Sequence, residues 1–213
     1  MDIRKFYTLF AKTFRPRRMR VLKTMLPQLG DPGTTVLDLG GTAQWWADVR
    51  PGTRRITIVN VDNGLEPAVR AAGYDFICAD ACRLPFADQQ FDVVVSNSVI
   101  EHVGNAERQA EFAAEMRRCG RAVYLQTPNF WFPVEPHLVT IGLHWLPIAL
   151  QRRAIRWFSV WGLVAKPRQA QVDQFIASTR LVRPSEIVAW FPDCQPADER
   201  ILGAIKSFVV VRR

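Results

Sequence analysis

The chain has 213 residues, 48% of them hydrophobic, which is enough to bury one sizeable core and leaves little for a second. Cys78, Cys82, Cys119 and Cys194 lack metal-ligand spacing, so they read as buried thiols of a reducing cytosol, with no metal site expected. No N-terminal stretch pairs a long apolar region with a small-residue cleavage site, which argues against secretion. The net charge of +8 is uneven: residues 1 to 23 carry eight Lys and Arg against Asp2, residues 136 to 172 hold five bases and no acid, and the remainder is mildly acidic.

In the first segment Ile3, Phe6, Tyr7, Phe10 and Phe14 recur at helical spacing, an apolar stripe on a basic helix. Pro16 opens a second predicted helix with Leu22, Met25, Leu26 and Leu29 on one face, closed by Gly30 and Pro32. Both are expected to pack on a sheet edge or over a ligand; the alternative is that Arg15, Arg17, Arg18 and Arg20 face an anionic partner. Residues 35 to 39 are a β-branched and aliphatic run stopped by Gly40 and Gly41, then Thr42 and Gln44-Trp45-Trp46-Ala47. This pattern reads as a buried strand turning sharply into a helix, with both tryptophans in the core. At such turns α/β sheets bind nucleotides, because glycine lets the backbone approach a ligand and the helix start presents free amide hydrogens.

A second strand over residues 55 to 61 ends in Asp62 and Asn63, where a carboxylate can accept both hydroxyls of a ribose. A short helix over 66 to 72 leads to a third strand, 74 to 79, which delivers Asp80 and Ala81. The fourth strand, 91 to 98, runs through Ser96-Asn97-Ser98 into Ile100-Glu101-His102-Val103, with Glu101 and His102 starting the next helix. A polar helix over 106 to 118, with Phe112, Ala113 and Met116 inward and Gly120 closing it, precedes a fifth strand over 122 to 126 and then Thr127-Pro128-Asn129.

The order Val36-Leu37-Asp38-Leu39-Gly40-Gly41-Thr42, Val61-Asp62, Asp80-Ala81 with Leu84-Pro85-Phe86, Phe91-Asp92-Val93-Val94 and Ile100-Glu101-His102-Val103 resembles the Rossmann-like S-adenosylmethionine-dependent methyltransferases. It is most similar to the small-molecule branch that includes the ubiquinone-biosynthesis type O-methyltransferases. The resemblance covers about residues 34 to 129 and the C-terminal strand. It implies an α/β fold: a doubly wound, mostly parallel seven-stranded sheet with an antiparallel last strand, N-terminal helices and a helical lid insertion. It also implies S-adenosylmethionine as cofactor, bound through Asp38, Gly40, Gly41, Thr42, Asp62, Asn63, Asp80, Ala81 and Asn97. Asp80 would accept from the adenine amine and the Ala81 amide would read a ring nitrogen, unless Asp80 merely caps the turn before Leu84. Ser96-Asn97-Ser98 would lie where substrate and sulfonium meet. The family's glycine loop reads acid-x-Gly-x-Gly-x-Gly, and here Thr42 and Gln44 replace the second and third glycines, leaving Gly41 beside Gly40 to supply the freedom. Absence of Gly-x-Gly-x-x-Gly disfavours a nicotinamide dehydrogenase, and Ser96-Asn97-Ser98 in place of Asn-Pro-Pro-Tyr argues against a DNA adenine enzyme.

Beyond residue 129 the chain leaves the resembled pattern. Phe130, Trp131, Phe132, Pro133, Pro136 and His137 make an aromatic, proline-rich lead-in, and the uncharged run from 136 to 151, broken by Pro147, is too short to span a membrane. Leu150, Ala154, Trp157, Phe158 and Trp161 share a predicted helical face opposite Arg152, Arg153 and Arg156. That suits a membrane surface, a lid over a greasy substrate, or an ordinary helix packed on its own domain. A helix over 184 to 191, a further strand around 199 to 202 and a terminal strand over 206 to 211 complete a single expected domain, parsed as basic helices (1–30), cofactor core (34–129), lid (130–180) and C-terminal helix and strands (181–213).

Methyl transfer from a sulfonium is an in-line displacement, so the protein aligns the reactants and removes the proton of an oxygen nucleophile. His102, Glu101 and His137 are the candidate catalytic residues, with His144 a further histidine and His137 expected to face the acceptor. The expected function is a cytoplasmic methyltransferase acting on a small-molecule or lipid-type acceptor at oxygen, touching membrane through its basic helices and not binding DNA. An RNA or protein methyltransferase and a non-catalytic cofactor-binding scaffold are the alternatives.

Overall fold

The computed structural model describes residues 19 to 213 except 20, 25 and 54; the aromatic stripe of residues 3 to 14 and Arg15, Arg17, Arg18 and Arg20 lie outside the described residues. Leu22, Leu26 and Leu29 are buried as their spacing predicts, but Pro27 cannot continue an α-helix, and Pro27–Gly30 is a separate 3-10 turn.

Strands β1 (Val36–Leu39), β2 (Ile56–Asn60), β3 (Asp75–Cys78), β4 (Phe91–Asn97) and β5 (Gly120–Pro128) lie parallel in the order β3-β2-β1-β4-β5. Helices α1 (Ala43–Val49), α2 (Glu66–Ala71) and α3 (Ala106–Cys119) connect them. Side chains on a strand alternate between its faces, so β1 and β4 feed two apolar layers. Leu37, Leu39 and Val94 pack with Phe112, Met116 and Leu125 on one side, and Val36, Val93 and Val95 with Trp46, Ile58 and Tyr124 on the other. The order reverses between β1 and β4, and the crevice beyond their carboxyl ends is the switch point at which such sheets bind ligands.

After β5 the chain forms a hairpin, β6 (Val134–Glu135) with β7 (Thr140–Ile141), and the helices α4 (Ile148–Phe158), α5 (Val160–Ala165) and α6 (Gln169–Ser178). Helix α7 (Pro184–Trp190) then leads to β8 (Gln195–Pro196), β9 (Glu199–Ile201) and β10 (Ala204–Arg212). Strand β10 runs antiparallel to β5 as expected, and both β8 and β9 pair with it, so the sheet has eight strands rather than seven.

Three sequence expectations for this part need correction. Trp161 does not continue the helix of Trp157: Ser159 turns extended, its hydroxyl caps α5 at the Gly162 amide, and a side chain at Gly162 would meet Ile155 O at 2.2 Å. The residue of α4 facing inward is Ile155, packed with Leu138, Leu143 and Val172, while Trp157 and Phe158 are 70% and 72% exposed. Cys78 is exposed at the end of β3, whereas Cys82 and Cys119 are buried, which pushes each of those thiols up to about 11.

Candidate functional site

The turn after β1 is built by mutual exclusion of side chains. Gly40 has φ +76°, and a Cβ there would lie 2.4 Å from Val99. A Cβ on Gly41 would lie 1.6 Å from Asp38 Oδ2, so the carboxylate of β1 fills the space that a side chain would need. Asp38 is buried beneath the turn rather than on an open rim, and its Oδ2 accepts from Trp46 Nε1 at 2.7 Å. Burial pushes its pKa up to about 7 against the opposing effect of the Trp46 bond. Thr42 turns to capping, its hydroxyl accepting from the Trp45 amide at the start of α1.

The remaining strand ends border an open cleft of about 460 Å³ lined by Gly40, Val61, Asp80, Ala81, Val99 and His102, among others. Asp62 is exposed just past β2 and closes an Asx turn onto the Gly64 amide at 2.9 Å; Asn63, also exposed, opens the 3-10 turn that follows. Asp80 caps the Cys82 amide at 2.9 Å and pairs with Arg108 of α3 at 2.6 Å, contacts that hold its carboxyl below the usual carboxylate range. Arg108 also lines the cleft. At the end of β4, Asn97 is half-buried, and Ser98 holds a left-handed φ of +55° while its hydroxyl donates to Gln126 Oε1 at 2.8 Å. A non-glycine residue in that region is strained by about 1–3 kcal/mol, a cost that clusters at ligand sites.

The three candidate catalytic residues come together: a carboxylate oxygen of Glu101 and a ring nitrogen each of His102 and His137 lie within 4.8 Å of one another. Glu101 and His102 sit in a 3-10 turn, Ile100–His102, separate from α3. Glu101 is fully buried, with Thr127 Oγ1 donating to its Oε2 at 3.0 Å, while His102 is exposed and lines the cleft. His137 arrives from the β6–β7 turn, and its Nδ1 lies 2.5 Å from Glu135 Oε1. Burial opposes its protonation, but the Glu135 bond and the charges of Glu135 and Glu101 outweigh that and raise its pKa. The two imidazoles meet edge to face at 5.0 Å.

The insertion is fastened beside this cluster by Gln109, a buried residue of α3 whose amide donates to Ile100 O and Arg180 O at 2.9 and 2.8 Å. Arg180 in turn donates from its backbone to Glu101 O at 2.7 Å and pairs with Glu186. Under the insertion lies a second cavity of about 250 Å³, walled by Phe130, Leu138, His144 and Phe175 and reached by Glu135 and Thr179. His144 faces this cavity rather than the cluster; its Nε2 contacts Phe130 O at 2.9 Å, and burial lowers its pKa.

Residues 37–122 match the family described as a methyltransferase domain. A demethylmenaquinone methyltransferase of Mycobacterium sp. (strain KMS) is 32% identical over 58% of this chain and 53% of its own length. A bifunctional methionine biosynthesis protein MetXA/MetW of Rhodopirellula baltica is 35% identical over 52% of this chain and 19% of its own. The chain thus spans about half, or less, of the curated relatives it matches. An S-adenosylmethionine dependent methyltransferase structure from Mesorhizobium loti aligns with a TM-score of 0.61 at 14% identity, over 91% of this chain and 96% of that one. Residues 37–122 thus resemble a methyltransferase domain in sequence, and the chain shares its fold with S-adenosylmethionine dependent methyltransferase structures.

The cleft fits the cofactor that such methyltransferases use. Its volume lies within the roughly 300–1,000 Å³ of small-ligand sites. It opens at the glycine turn, and it offers an exposed carboxylate at Asp80 beside the Ala81 amide. Of the residues expected to hold the cofactor, Gly40, Asp80 and Ala81 line the cleft and Asp62 adjoins it through Val61, while Asp38 and Thr42 are engaged in shaping the turn. Sequence reasoning missed Arg108, one of three arginines on a polar helix, and Glu135, whose acidic side chain is buried in a two-residue strand.

Proposed function

We propose that this methyltransferase acts on an apolar, lipid-like small molecule at oxygen, with the cofactor in the cleft at the ends of β1 to β4 and the acceptor at Glu101, His102 and His137. The observation that carries this reading is His102: it lines the cleft and also contacts Thr179 of the second cavity at 3.4 Å, so an acceptor group held there lies beside the cofactor space. When bound, S-adenosylmethionine supplies a methyl group already activated by the sulfonium charge. Asp80 and the Ala81 amide would hold its adenine, Asp62 and Asn63 its ribose, and the Gly40–Gly41 backbone and Asn97 its amino-acid end. The chain's own task is then alignment, which can supply roughly 7–11 kcal/mol, and activation of the acceptor hydroxyl by the polar cluster.

Half of the second cavity's lining is apolar, including Phe130, Leu138, Ile148 and Phe175, and half is polar, including Arg180 and Arg183; the apolar half supports a greasy acceptor, as do the relatives named demethylmenaquinone methyltransferases. A membrane-bound source for it fits the outer surface of the insertion. Leu150, Trp157, Phe158 and Leu163 are exposed among Arg153 and Arg156, and bulky apolar and arginine side chains together favour an anionic bilayer surface. No described helix is long and apolar enough to cross a membrane.

The reading is tested by calorimetry with S-adenosylmethionine, followed by incubation of the protein with the methyl-labelled cofactor and fractionated lipid and polar extracts. Cofactor heat and label entering the organic phase are expected. Absence of heat would leave only a non-catalytic scaffold, and label in RNA, protein or polar metabolites would replace the acceptor class.

A further inference from the structure

Glu101 contains an unsolved requirement. Its Oε1 is buried with no hydrogen-bond partner among the described residues, although the residue is fully enclosed. Leaving a buried acceptor unsatisfied destabilises the fold, and such groups in folded proteins call for a partner supplied from elsewhere.

The surroundings point to what that partner is. Around the Glu101 carboxylate stand the imidazoles of His102 and His137, with one donor atom from each of the three within 4.8 Å of the others. Bonds from a transition metal to nitrogen or oxygen run about 2.0–2.2 Å, which sets two ligand atoms of a tetrahedral site roughly 3.3–3.6 Å apart, so the three groups would draw together on binding, with the exposed His102 the one on the open cleft. Both histidines also make the outer contact typical of metal-bound imidazoles. His137 Nδ1 is held by Glu135, whose second oxygen is fixed by the Leu138 amide at 2.5 Å, and His102 Nδ1 lies 3.4 Å from Ser178 O. With Nδ1–H donated to oxygen, Nε2 carries the lone pair.

We propose that Glu101, His102 and His137 bind one divalent transition-metal ion, Zn2+ or a chemically similar ion, between the cleft and the second cavity. Two imidazoles and one carboxylate select such an ion over Mg2+, which favours an octahedron of oxygens. Three protein ligands leave a position for one further group. Its use rests on the methyltransferase reading. The acceptor hydroxyl binds there as a metal alkoxide or phenolate, its O–H bond breaking and the proton passing to solvent. The oxygen lone pair then forms the new bond to the methyl carbon as the carbon–sulfur bond breaks and leaves its electrons on sulfur.

The test is titration of the EDTA-treated, desalted chain with Zn2+ by calorimetry, with Co2+ absorption as a second readout. One ion per chain at micromolar affinity or tighter is expected, with no competition from millimolar Mg2+. Glu101→Gln and His137→Ala should each lose Zn2+ affinity by at least about tenfold, and Glu135→Gln, which touches only the outer contact, by about 10–100-fold. Thermal unfolding of the metal-free variants separates loss of binding from loss of fold, and the near-isosteric Glu135→Gln keeps the test decisive if His137→Ala does not fold. Zn2+ binding that survives all three substitutions, or that disappears in Cys78→Ser instead, overturns the site. So does a wild-type chain that binds S-adenosylmethionine but no Zn2+. Zn2+ binding without cofactor binding would support the metal site and overturn the methyltransferase reading.

Discussion

On the cofactor side of the crevice, Asp38, Gly40 and Asp80 stand at the ends of parallel strands whose register is locked across the sheet. The acceptor side has a different construction: Glu135 and His137 come from a hairpin of two-residue strands, Thr179 from a loop, and the segment has its own small core of Leu138, Leu143, Ile155 and Val172. One wall therefore draws its geometry from the main core and the other from local packing and the Gln109 contacts. Damage to the first should appear in stability and cofactor binding together, and damage to the second in turnover with both preserved.

Gly41→Ala tests the first wall most severely. Its methyl would overlap Asp38 Oδ2, so either the buried carboxylate or the strand end must move. Loss of measurable cofactor binding by calorimetry is expected, with about 1–3 kcal/mol of stability lost in thermal unfolding. Retention of both would mean that the turn is softer than the sheet around it. His102→Ala tests the seam where the second wall meets the first: turnover should fall by about 10²–10⁴, with cofactor affinity within about twofold and stability changed by less than about 0.5 kcal/mol. A parallel fall in cofactor affinity would move His102 to the cofactor wall and break the contrast.

Asp38→Asn sharpens it through pH. The folded chain holds the Asp38 proton up to about pH 7, well above an ordinary carboxylate. Asp38 therefore favours the folded state most below about pH 4, the unfolded value, and this contribution is lost as pH rises through 7. The asparagine keeps an acceptor for Trp46 without ionising, so its melting temperature should decline less between pH 5 and 8 than that of the wild type, by a free energy of up to a few kcal/mol. An identical decline in both proteins would show that Asp38 does not titrate there. The smallest effect is expected for Trp157→Ala, which should weaken sedimentation with anionic vesicles several-fold and leave thermal stability unchanged, because the ring is exposed. Unchanged vesicle binding would remove the membrane role from this surface.

The difference between the walls also governs what could be read beforehand. Strands β1 to β5 announce themselves as short apolar runs, the first three stopped by Gly or a carboxylate, and a parallel sheet brings the stops to one edge whatever lies between them. That suffices to locate Gly40, Asp62 and Asp80 to within a residue, though not to show that Asp38 faces Trp46 beneath the turn. The insertion gives no comparable signal. Two-residue strands are too short for alternation, so the pairing of His137 with Glu135 had no sequence trace. Apolar periodicity runs on through Trp161, yet the hydroxyl of Ser159 is enough to start a new helix. Periodicity also reports that Trp157 and Phe158 share a stripe without reporting whether protein covers it. The meeting of Glu101, His102 and His137 depends on where the hairpin docks, a tertiary fact that neither spacing nor propensity contains.

The private core of the insertion has a consequence for how such a protein can change. Because Leu138, Leu143, Ile155 and Val172 pack chiefly with neighbours from their own segment, the lining of the chamber above them can be rewritten without disturbing the sheet. The part that handles the methyl donor stays constant while the part that chooses the recipient drifts, so new specificities are reachable by exchanging one contiguous cassette between residues 130 and 179, short of Val182, which packs in the main core.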